Sequence, residues 1–181
     1  MDCIKIRDNI YWVGVLDPEM RIFDIVFKTD QGTTYNSYLI KDKKTALIDT
    51  VKKPFTTEFI SNLKSQIDLK DIDYIIVNHT EPDHSGALLE LLKYAGNAKV
   101  MVSKSGGHLL KNIINVPVDL TIIEDNTVVD LGGCELRFIS APYLHWPDTI
   151  WTYLEKEKIL FTCDAFGSHF CDERMFDDLV G

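Results

Sequence analysis

The stretch NHTEPDHSG, residues 78–86, places four side chains that can bind a metal or move a proton within six positions. They are His79, Glu81, Asp83 and His84. A helix would bring His79 and Asp83 onto one face and turn Glu81 elsewhere, so the spacing is not helical. A loop stiffened by Pro82 could instead wrap around one point. The stretch therefore predicts a metal site on a loop.

The sequence on either side of this stretch predicts the elements that position it. Tyr74–Asn78 is apolar and β-branched, which predicts a buried strand. Ser85–Ala95 has the pattern of a helix, and Gly96 would close it. We therefore expect the loop to join the end of a strand to the start of a helix.

Three further polar residues follow predicted strands. His145, Asp164 and Asp49 each lie at or just past the end of an apolar run. A rigid sheet can bring side chains at several strand ends together, which is how many binding sites are built. We expect all of them near the first loop.

The candidate ligands, without Asp49, are three imidazoles and three carboxylates: His79, His84, His145, Glu81, Asp83 and Asp164. Six ligands exceed the four of a closed zinc site, so they favour two metals with one carboxylate bridging them. A set this rich in oxygen suits iron or manganese better than a thiolate-rich set would. Three carboxylates would also cancel most of the charge of two divalent ions.

The remaining sequence predicts an α/β layered domain, two sheets covered by helices. The predicted strands are Ile10–Val15, Asp24–Lys28, Asn36–Ile40, Thr45–Asp49, Tyr74–Asn78, Lys99–Ser103, Thr121–Glu124, Leu136–Ser140, Thr149–Leu154 and Ile159–Cys163. The predicted helices are Pro54–Gln66, Ser85–Ala95 and Ser105–Ile114.

Composition limits the classes of function. The 181 residues are 45% hydrophobic and carry a formal net charge of -9, which argues against non-specific nucleic-acid binding. No apolar run approaches the roughly 18 residues of a membrane span, and the N-terminus is too polar for a signal peptide. We expect a cytoplasmic protein that binds neither nucleic acid nor membranes.

The motif from His79 to His84 resembles the metal motif of the flavodiiron proteins, a branch of the metallo-β-lactamase superfamily. Residues 33–38 (TTYNSY), 145–148 (HWPD) and 164–167 (DAFG) are similar to further signatures of that family, in the same order. The superfamily's hydrolases usually have His where this chain has Glu81. The resemblance implies an αββα metallo-β-lactamase-like sandwich over residues 1–181, incomplete at its C-terminal end.

The resemblance also implies roles for the candidate ligands. His79, Glu81 and His145 would bind one non-haem iron, Asp83 and His84 the other, and Asp164 would bridge them. The family's second iron takes one more His much further along the chain, and a flavodoxin-like domain holds FMN. Neither is found here, so we expect the first part of a longer enzyme.

The implied activity is reduction of dioxygen to water, of nitric oxide to nitrous oxide, or both. FMN would supply the electrons from the missing domain or a partner subunit, after reduction by a donor such as rubredoxin or a flavin reductase. The family forms head-to-tail dimers, so a homodimer or higher oligomer is expected.

Several other residues are candidates for supporting the pocket. Asp49 could orient a ligand imidazole or merely cap a turn. Tyr35 and Tyr38 could line the pocket or only pack in the core, and Trp146 could form a wall beside His145. His169 could reach the pocket, and could even replace the missing ligand.

Two alternatives stay open. A dizinc hydrolase of the metallo-β-lactamase type is the first, although Glu81 argues against it. The second is an inactive fragment that acts only in assembly. If the chain binds iron, we expect unequal occupancy of the two iron sites, because the second iron lacks one His.

Overall fold

The computed structural model describes residues 3–180, and Met1, Asp2 and Gly181 of the predicted 1–181 domain lie outside the described residues. Its strands are β1 Ile4–Arg7, β2 Ile10–Trp12, β3 Val15–Asp17, β4 Ile22–Phe23, β5 Phe27–Lys28, β6 Thr33–Tyr35, β7 Tyr38–Ile40, β8 Ala46–Ile48, β9 Tyr74–Val77, β10 Lys99–Ser103, β11 Leu120–Ile123, β12 Val128–Asp130, β13 Glu135–Ser140, β14 Ile150–Leu154 and β15 Ile159–Phe161. Its α-helices are α1 Thr56–Gln66, α2 Pro82–Ser85, α3 Leu88–Leu92, α4 Lys104–Ile114 and α5 Asp177–Val180. Short 3-10 helices span Lys53–Phe55 and Leu69–Asp71.

Two sheets form the body of the fold. The larger has the strand order β1-β2-β7-β8-β9-β10-β11, and its strands from β8 to β11 run parallel. The smaller is the antiparallel order β12-β13-β14-β15. The pairs β3-β6 and β4-β5 make two small ribbons beside them.

Two buried clusters define the layers. One fills the space between the sheets, with Ile48 and Ile76 of the larger sheet packed near Phe138 and Leu154 of the smaller. The other lies on the opposite face of the larger sheet, where α1, α3 and α4 contribute residues such as Phe59, Leu88 and Leu110. The expected mixed architecture of helices and two facing sheets is therefore confirmed, as three layers within residues 3–180.

The helix predicted over Ser85–Ala95 is wrong at its start and in its continuity. Helical structure begins at Pro82, whose fixed φ suits a first helical position, so Asp83 and His84 lie in a helical turn. The Ala87 N–H then donates to Val51 O (2.9 Å). This contact interrupts the helix before Leu88–Leu92.

Two of the first three predicted strands are broken where the chain changes direction. Asp24 and Ile25 have φ of 46° and 72°, so the predicted strand Asp24–Lys28 begins in the turn between β4 and β5, and only Phe27–Lys28 is a strand. The run Ile10–Val15 divides between β2 of the larger sheet and β3 of the β3-β6 ribbon. Alternating apolar residues do not reveal such transfers between sheets.

The other predicted strands and helices have bounds within two residues of those observed. The strands that were not predicted are Ile4–Arg7, Ile22–Phe23, Thr33–Tyr35 and Val128–Asp130. Within residues 3–180, no helix has both the length and the apolar character needed to cross a membrane.

Candidate metal centre

The six candidate ligands meet at one end of the two sheets. His79 and Glu81 follow β9, and Asp83 and His84 occupy α2. His145 lies in the loop between β13 and β14, and Asp164 comes three residues after β15. Strands β8 and β9 are parallel, so both end at the same edge and bring Asp49 close to this loop.

Asn78 fixes the two sheets to each other directly before the motif. Its side chain is fully buried, donates to Phe161 O (3.0 Å) and accepts from Thr152 Oγ1 (2.7 Å). Its backbone N–H donates to Asp49 Oδ1 (2.7 Å). Residues from both sheets therefore share one rigid support.

Four side chains form a first group, defined as His79, Glu81, His145 and Asp164. Glu81 Oε2 lies 3.1 Å from Nε2 of both His79 and His145. Asp164 Oδ2 lies 3.5 Å from His79 Nε2 and 3.6 Å from His145 Nε2. Two nitrogens and two oxygens thus surround one point.

A second group consists of Asp83, His84 and Asp164. His84 Nε2 lies 2.9 Å from Asp164 Oδ1 and 3.6 Å from Asp83 Oδ2. Asp164 therefore turns one oxygen toward each group. A carboxylate that lies between two ion-sized sites in this way has the geometry of a bridge.

The donor atoms fit divalent metals. A bond length of about 2.1 Å separates neighbouring ligand atoms by about 3.0 Å in octahedral and about 3.4 Å in tetrahedral geometry. The separations of 2.9–3.6 Å in the two groups match these values. Asp83 Oδ1 is also buried without a hydrogen-bond partner in the described part of the chain, which a cation would relieve.

In the first group, contacts between histidine and carboxylate side chains shift the pKa values of both. The hydrogen bond with His79 lowers the pKa of Glu81 to about 2. Burial lowers the pKa of His79, but hydrogen bonds with Asp148 and Glu81 outweigh burial and raise it to about 9. A metal would therefore meet an ionised carboxylate and would displace a proton from the imidazole.

The second group is more deeply buried. Burial raises the pKa of Asp83. Burial also raises the pKa of Asp164, but the neighbouring histidines outweigh it and lower the pKa to about 2. For His84, burial is outweighed by hydrogen bonds with Asp164 and Asp49, which raise its pKa well above its usual value.

The two buried histidines each contact a carboxylate through the nitrogen that faces away from the groups. His84 Nδ1 lies 3.3 Å from Asp49 Oδ2, as expected if Asp49 orients a ligand imidazole. His79 Nδ1 lies 3.1 Å from Asp148 Oδ2. The side chain of His145 is 59% exposed, and within residues 3–180 its ring shows no carboxylate partner on Nδ1.

A cavity of about 360 Å³ opens onto both groups. Tyr35 and His169 line it, as does Asp24. Tyr35 donates to Asp17 Oδ2 (3.0 Å), and His169 Nδ1 lies 3.1 Å from Thr33 Oγ1. His169 reaches the cavity but belongs to neither group of candidate ligands.

Two predicted pocket residues lie elsewhere. Trp146 is not among the residues that line the cavity; its ring packs edge-on against His79, with centroids 5.1 Å apart. Tyr38 packs against Phe161 at 4.9 Å between the sheets, which agrees with a core residue. A large aromatic side chain next to a ligand in sequence can point away from the pocket.

The sequence did not single out Asp148 or Asn78. Asp148 lies in the HWPD signature, and its carboxylate three residues after His145 was a weak signal. Nothing in that spacing shows that it faces His79. Phe23 and Phe27 also line the cavity, and they come together only through the unpredicted hairpin.

The chain was compared with known proteins and structures. Residues 33–180 match the family model described as ODP family beta lactamase. The chain is 54% identical to the flavo-diiron protein FprA2 of Clostridium acetobutylicum, over 99% of the chain and 46% of that protein. It is 44% identical to the anaerobic nitric oxide reductase flavorubredoxin of Salmonella arizonae, over 98% of the chain and 38% of that protein.

Solved structures give the same fold. The rubredoxin oxygen:oxidoreductase of Desulfovibrio gigas superposes with a TM-score of 0.97 at 32% identity, over 99% of this chain and 45% of that one. The flavodiiron protein of Giardia intestinalis gives a TM-score of 0.94 at 35% identity, over 99% and 44%. The chain thus spans less than half the length of these relatives.

Proposed function

The chain belongs to the family described as ODP family beta lactamase, and from this premise we propose that it is the diiron domain of a flavodiiron oxidoreductase. Its reaction would be the reduction of dioxygen to water, of nitric oxide to nitrous oxide, or both. Two similar proteins carry names that fit: an anaerobic nitric oxide reductase flavorubredoxin and a rubredoxin oxygen:oxidoreductase. The electrons would come from FMN held in another domain or in a partner subunit.

Each candidate ligand except Asp164 would bind a single iron. His79, Glu81 and His145 would hold the first iron. Asp83 and His84 would hold the second, and Asp164 would bridge the pair. The observation that carries this assignment is the division of Asp164, with Oδ2 facing His79 and His145 and Oδ1 only 2.9 Å from His84.

The donor set favours iron over zinc. Three carboxylates among six donors are hard oxygen ligands, and Glu81 supplies one where the hydrolases usually have an imidazole. When bound, the iron pair would supply redox chemistry, with electrons passed on to a small diatomic molecule.

The protein's own residues would hold and enclose the reacting site. Asp49 would keep His84 oriented, since it contacts the imidazole nitrogen that faces away from the metal groups. Phe23 and Phe27 form an apolar side of the cavity, and the His169 ring stacks on Phe23 with centroids 4.4 Å apart.

Exposed apolar side chains near the cavity favour the docking of a partner that carries FMN. Ile25 on the β4-β5 turn is 92% exposed, and Phe166, which follows Asp164, is 89% exposed. Both flank residues that line the cavity. In the proposed enzyme this apolar rim would contact a second subunit or a flavin-binding domain, which rubredoxin or a flavin reductase would reduce.

A dizinc hydrolase remains the second candidate because the matching family model is described as a beta lactamase. In such a hydrolase, a hydroxide between two zinc ions would attack an ester or lactam. Glu81 argues against it, because the hydrolases usually have an imidazole at that position.

The proposed function can be tested with chain purified without oxygen and loaded separately with ferrous iron or zinc. Without a reductant, we expect the ferrous form to react once, consuming two nitric oxide molecules or half a dioxygen molecule per pair of irons, since each pair supplies two electrons. We expect the zinc form to hydrolyse neither esters nor lactams. The matched control is His79→Ala, which should bind less iron and consume correspondingly less of either gas. Hydrolysis by the zinc form, with no gas consumed by the ferrous form, would refute the redox proposal.

A further inference from the structure

We infer that Asp148 is the positioning residue of the first metal group, and that its effect is confined to that group. The inference rests on the proposed function, since it takes His79 and His145 as metal ligands. Asp148 is only 1% exposed, and no metal-facing atom belongs to it. It acts through the residues that it holds.

One oxygen of Asp148 collects three contacts from the His79 loop. Oδ2 accepts from Thr80 N–H (2.7 Å) and Thr80 Oγ1 (2.8 Å), and lies 3.1 Å from His79 Nδ1. Because an ionised carboxylate only accepts, the His79 Nδ1 must carry the hydrogen of that contact. This leaves Nε2 as the nitrogen that faces Glu81 and Asp164, as a metal ligand requires.

Asp148 also anchors the loop that carries His145. Its backbone carbonyl accepts from Ser103 Oγ (2.7 Å), and the same Oγ accepts from Gly106 N (3.0 Å) at the start of α4. The loop closes through the Ala141 N–H, which donates to Thr149 O (3.0 Å). Asp148 therefore joins the loops of His79 and His145, two of the four members of the first group.

The second group has a separate support. His84 contacts Asp49, whose other oxygen accepts from Asn78 N–H (2.7 Å). The carboxylates of Asp148 and Asp49 share no hydrogen-bond partner. Asp148 contacts His79 and Thr80, and Asp49 contacts His84 and Asn78. Each carboxylate should therefore control one group.

Asparagine at position 148 would keep the size and shape of the side chain but not its hydrogen bonds to Thr80 and His79. Asp148 Oδ1 is buried with no hydrogen-bond partner in the described residues. An amide would place its NH2 either there, as an unpaired donor, or against the donors of Thr80 and His79. Both arrangements weaken the hold on His79 without removing side-chain volume.

The test uses cobalt(II) alone, titrated into the 181-residue chain under a competing chelator, with visible absorption to follow each site. The step that disappears in His145→Ala identifies the first group. We expect Asp148→Asn to weaken that step about 10- to 100-fold and leave the other within about threefold. Asp49→Asn should show the reverse, and the exposed Asp119→Asn should change neither.

A second variant separates positioning from folding. Thr80→Val removes one donor to Asp148 but leaves the carboxylate and His79 in place, so it should weaken the same step to a smaller degree. Urea unfolding of each metal-free variant checks that the chain folds. Equal weakening of both steps by Asp148→Asn, or no change in either, would overturn the inference. A wild-type chain that binds no cobalt would contradict the proposed function instead.

Discussion

The side chain of Asp164 has one carboxylate oxygen facing each candidate metal group, and we expect it to couple the two groups. Oδ1 lies 2.9 Å from His84 Nε2, and Oδ2 lies 3.5 Å from His79 Nε2. A neutral amide at this position would bridge two cations poorly, because only one of its two terminal atoms can accept.

We therefore predict that Asp164→Asn loses magnetic coupling between two bound irons and loses the second iron more readily than the first. Iron analysis combined with low-temperature magnetic spectroscopy measures both. The exposed Asp125→Asn is a matched control. Wild-type coupling in the amide variant would show that Asp164 does not bridge.

The titrating residues also set the stability of the metal-free chain. The hydrogen bond with His79 lowers the pKa of Glu81 to about 2, below the value of about 4.3 expected in the unfolded chain. Its stabilisation is therefore present above that unfolded value and lost as the pH falls toward 2. Despite burial, hydrogen bonds raise the pKa of His79 to about 9, so its stabilisation is complete below about 6.5 and lost as the pH rises through 9.

We predict that the metal-free chain is most stable between about pH 4.5 and 6.5, as measured by urea unfolding across pH. A chelator-treated sample excludes residual metal. A stability maximum above pH 8 would contradict the assigned contacts of His79.

At this scale, residue types and spacing predicted the six side chains that converge, because His, Asp and Glu are common metal ligands and these six lie in one short motif or just past apolar runs. The same reasoning missed Asp148. Its contact with His79 joins residues 69 positions apart, and only the folded loops bring them together.

Among the elements, α2 carries Asp83 and His84. Its close packing against the backbone near Lys53 depends on Gly86. A Cβ at Gly86 would lie 2.5 Å from Pro82 O and 2.6 Å from Lys53 N, both backbone atoms that cannot yield easily. The His84 carbonyl beside it accepts from Thr50 N–H (2.7 Å) and Thr50 Oγ1 (2.8 Å).

We predict that Gly86→Ala destabilises the chain by about 1–3 kcal/mol and weakens metal binding to the second group, because α2 must shift. Gly96→Ala is the control, since its Cβ would meet its nearest neighbour, Leu92 O, at 3.5 Å. That variant should stay within about 0.5 kcal/mol of wild type. Urea unfolding measures the stability, and cobalt titration measures metal binding to the second group. Equal stability and equal cobalt affinity of the two variants would contradict the close packing of α2.

The elements show where sequence patterns succeed. Long apolar runs such as Lys99–Ser103 were predicted with their observed bounds, because a buried strand has a strong signature. The start of α2 was missed because Pro82 suits both a loop and a first helical turn. The β4-β5 hairpin was missed because Ile25, which has a φ of 72°, is a β-branched residue that rarely adopts a positive φ.

At the scale of the whole molecule, apolar surface gathers near the cavity mouth. Ile25, Val26 and Phe166 are 92%, 71% and 89% exposed, which is costly for isolated apolar side chains in water. The formal net charge of -9 opposes non-specific aggregation, so association should be limited and specific.

We predict that the chain forms a dimer or higher oligomer at micromolar concentration, as measured by sedimentation velocity. Replacing Ile25 and Val26 with Ser should shift the equilibrium toward monomer without changing metal content. A wild-type monomer at about 100 μM would argue that this surface has another role.

We expect six side chains to hold two irons, with Asp164 as the bridge between them. Anaerobic titration with isotopically enriched ferrous iron, followed by Mössbauer spectroscopy, tests this arrangement. The first equivalent should fill the four-residue group, and the second should bind more weakly to the three-residue group. The spectrum should then show two inequivalent, coupled irons. Saturation at one iron, or two irons without coupling, would contradict this arrangement.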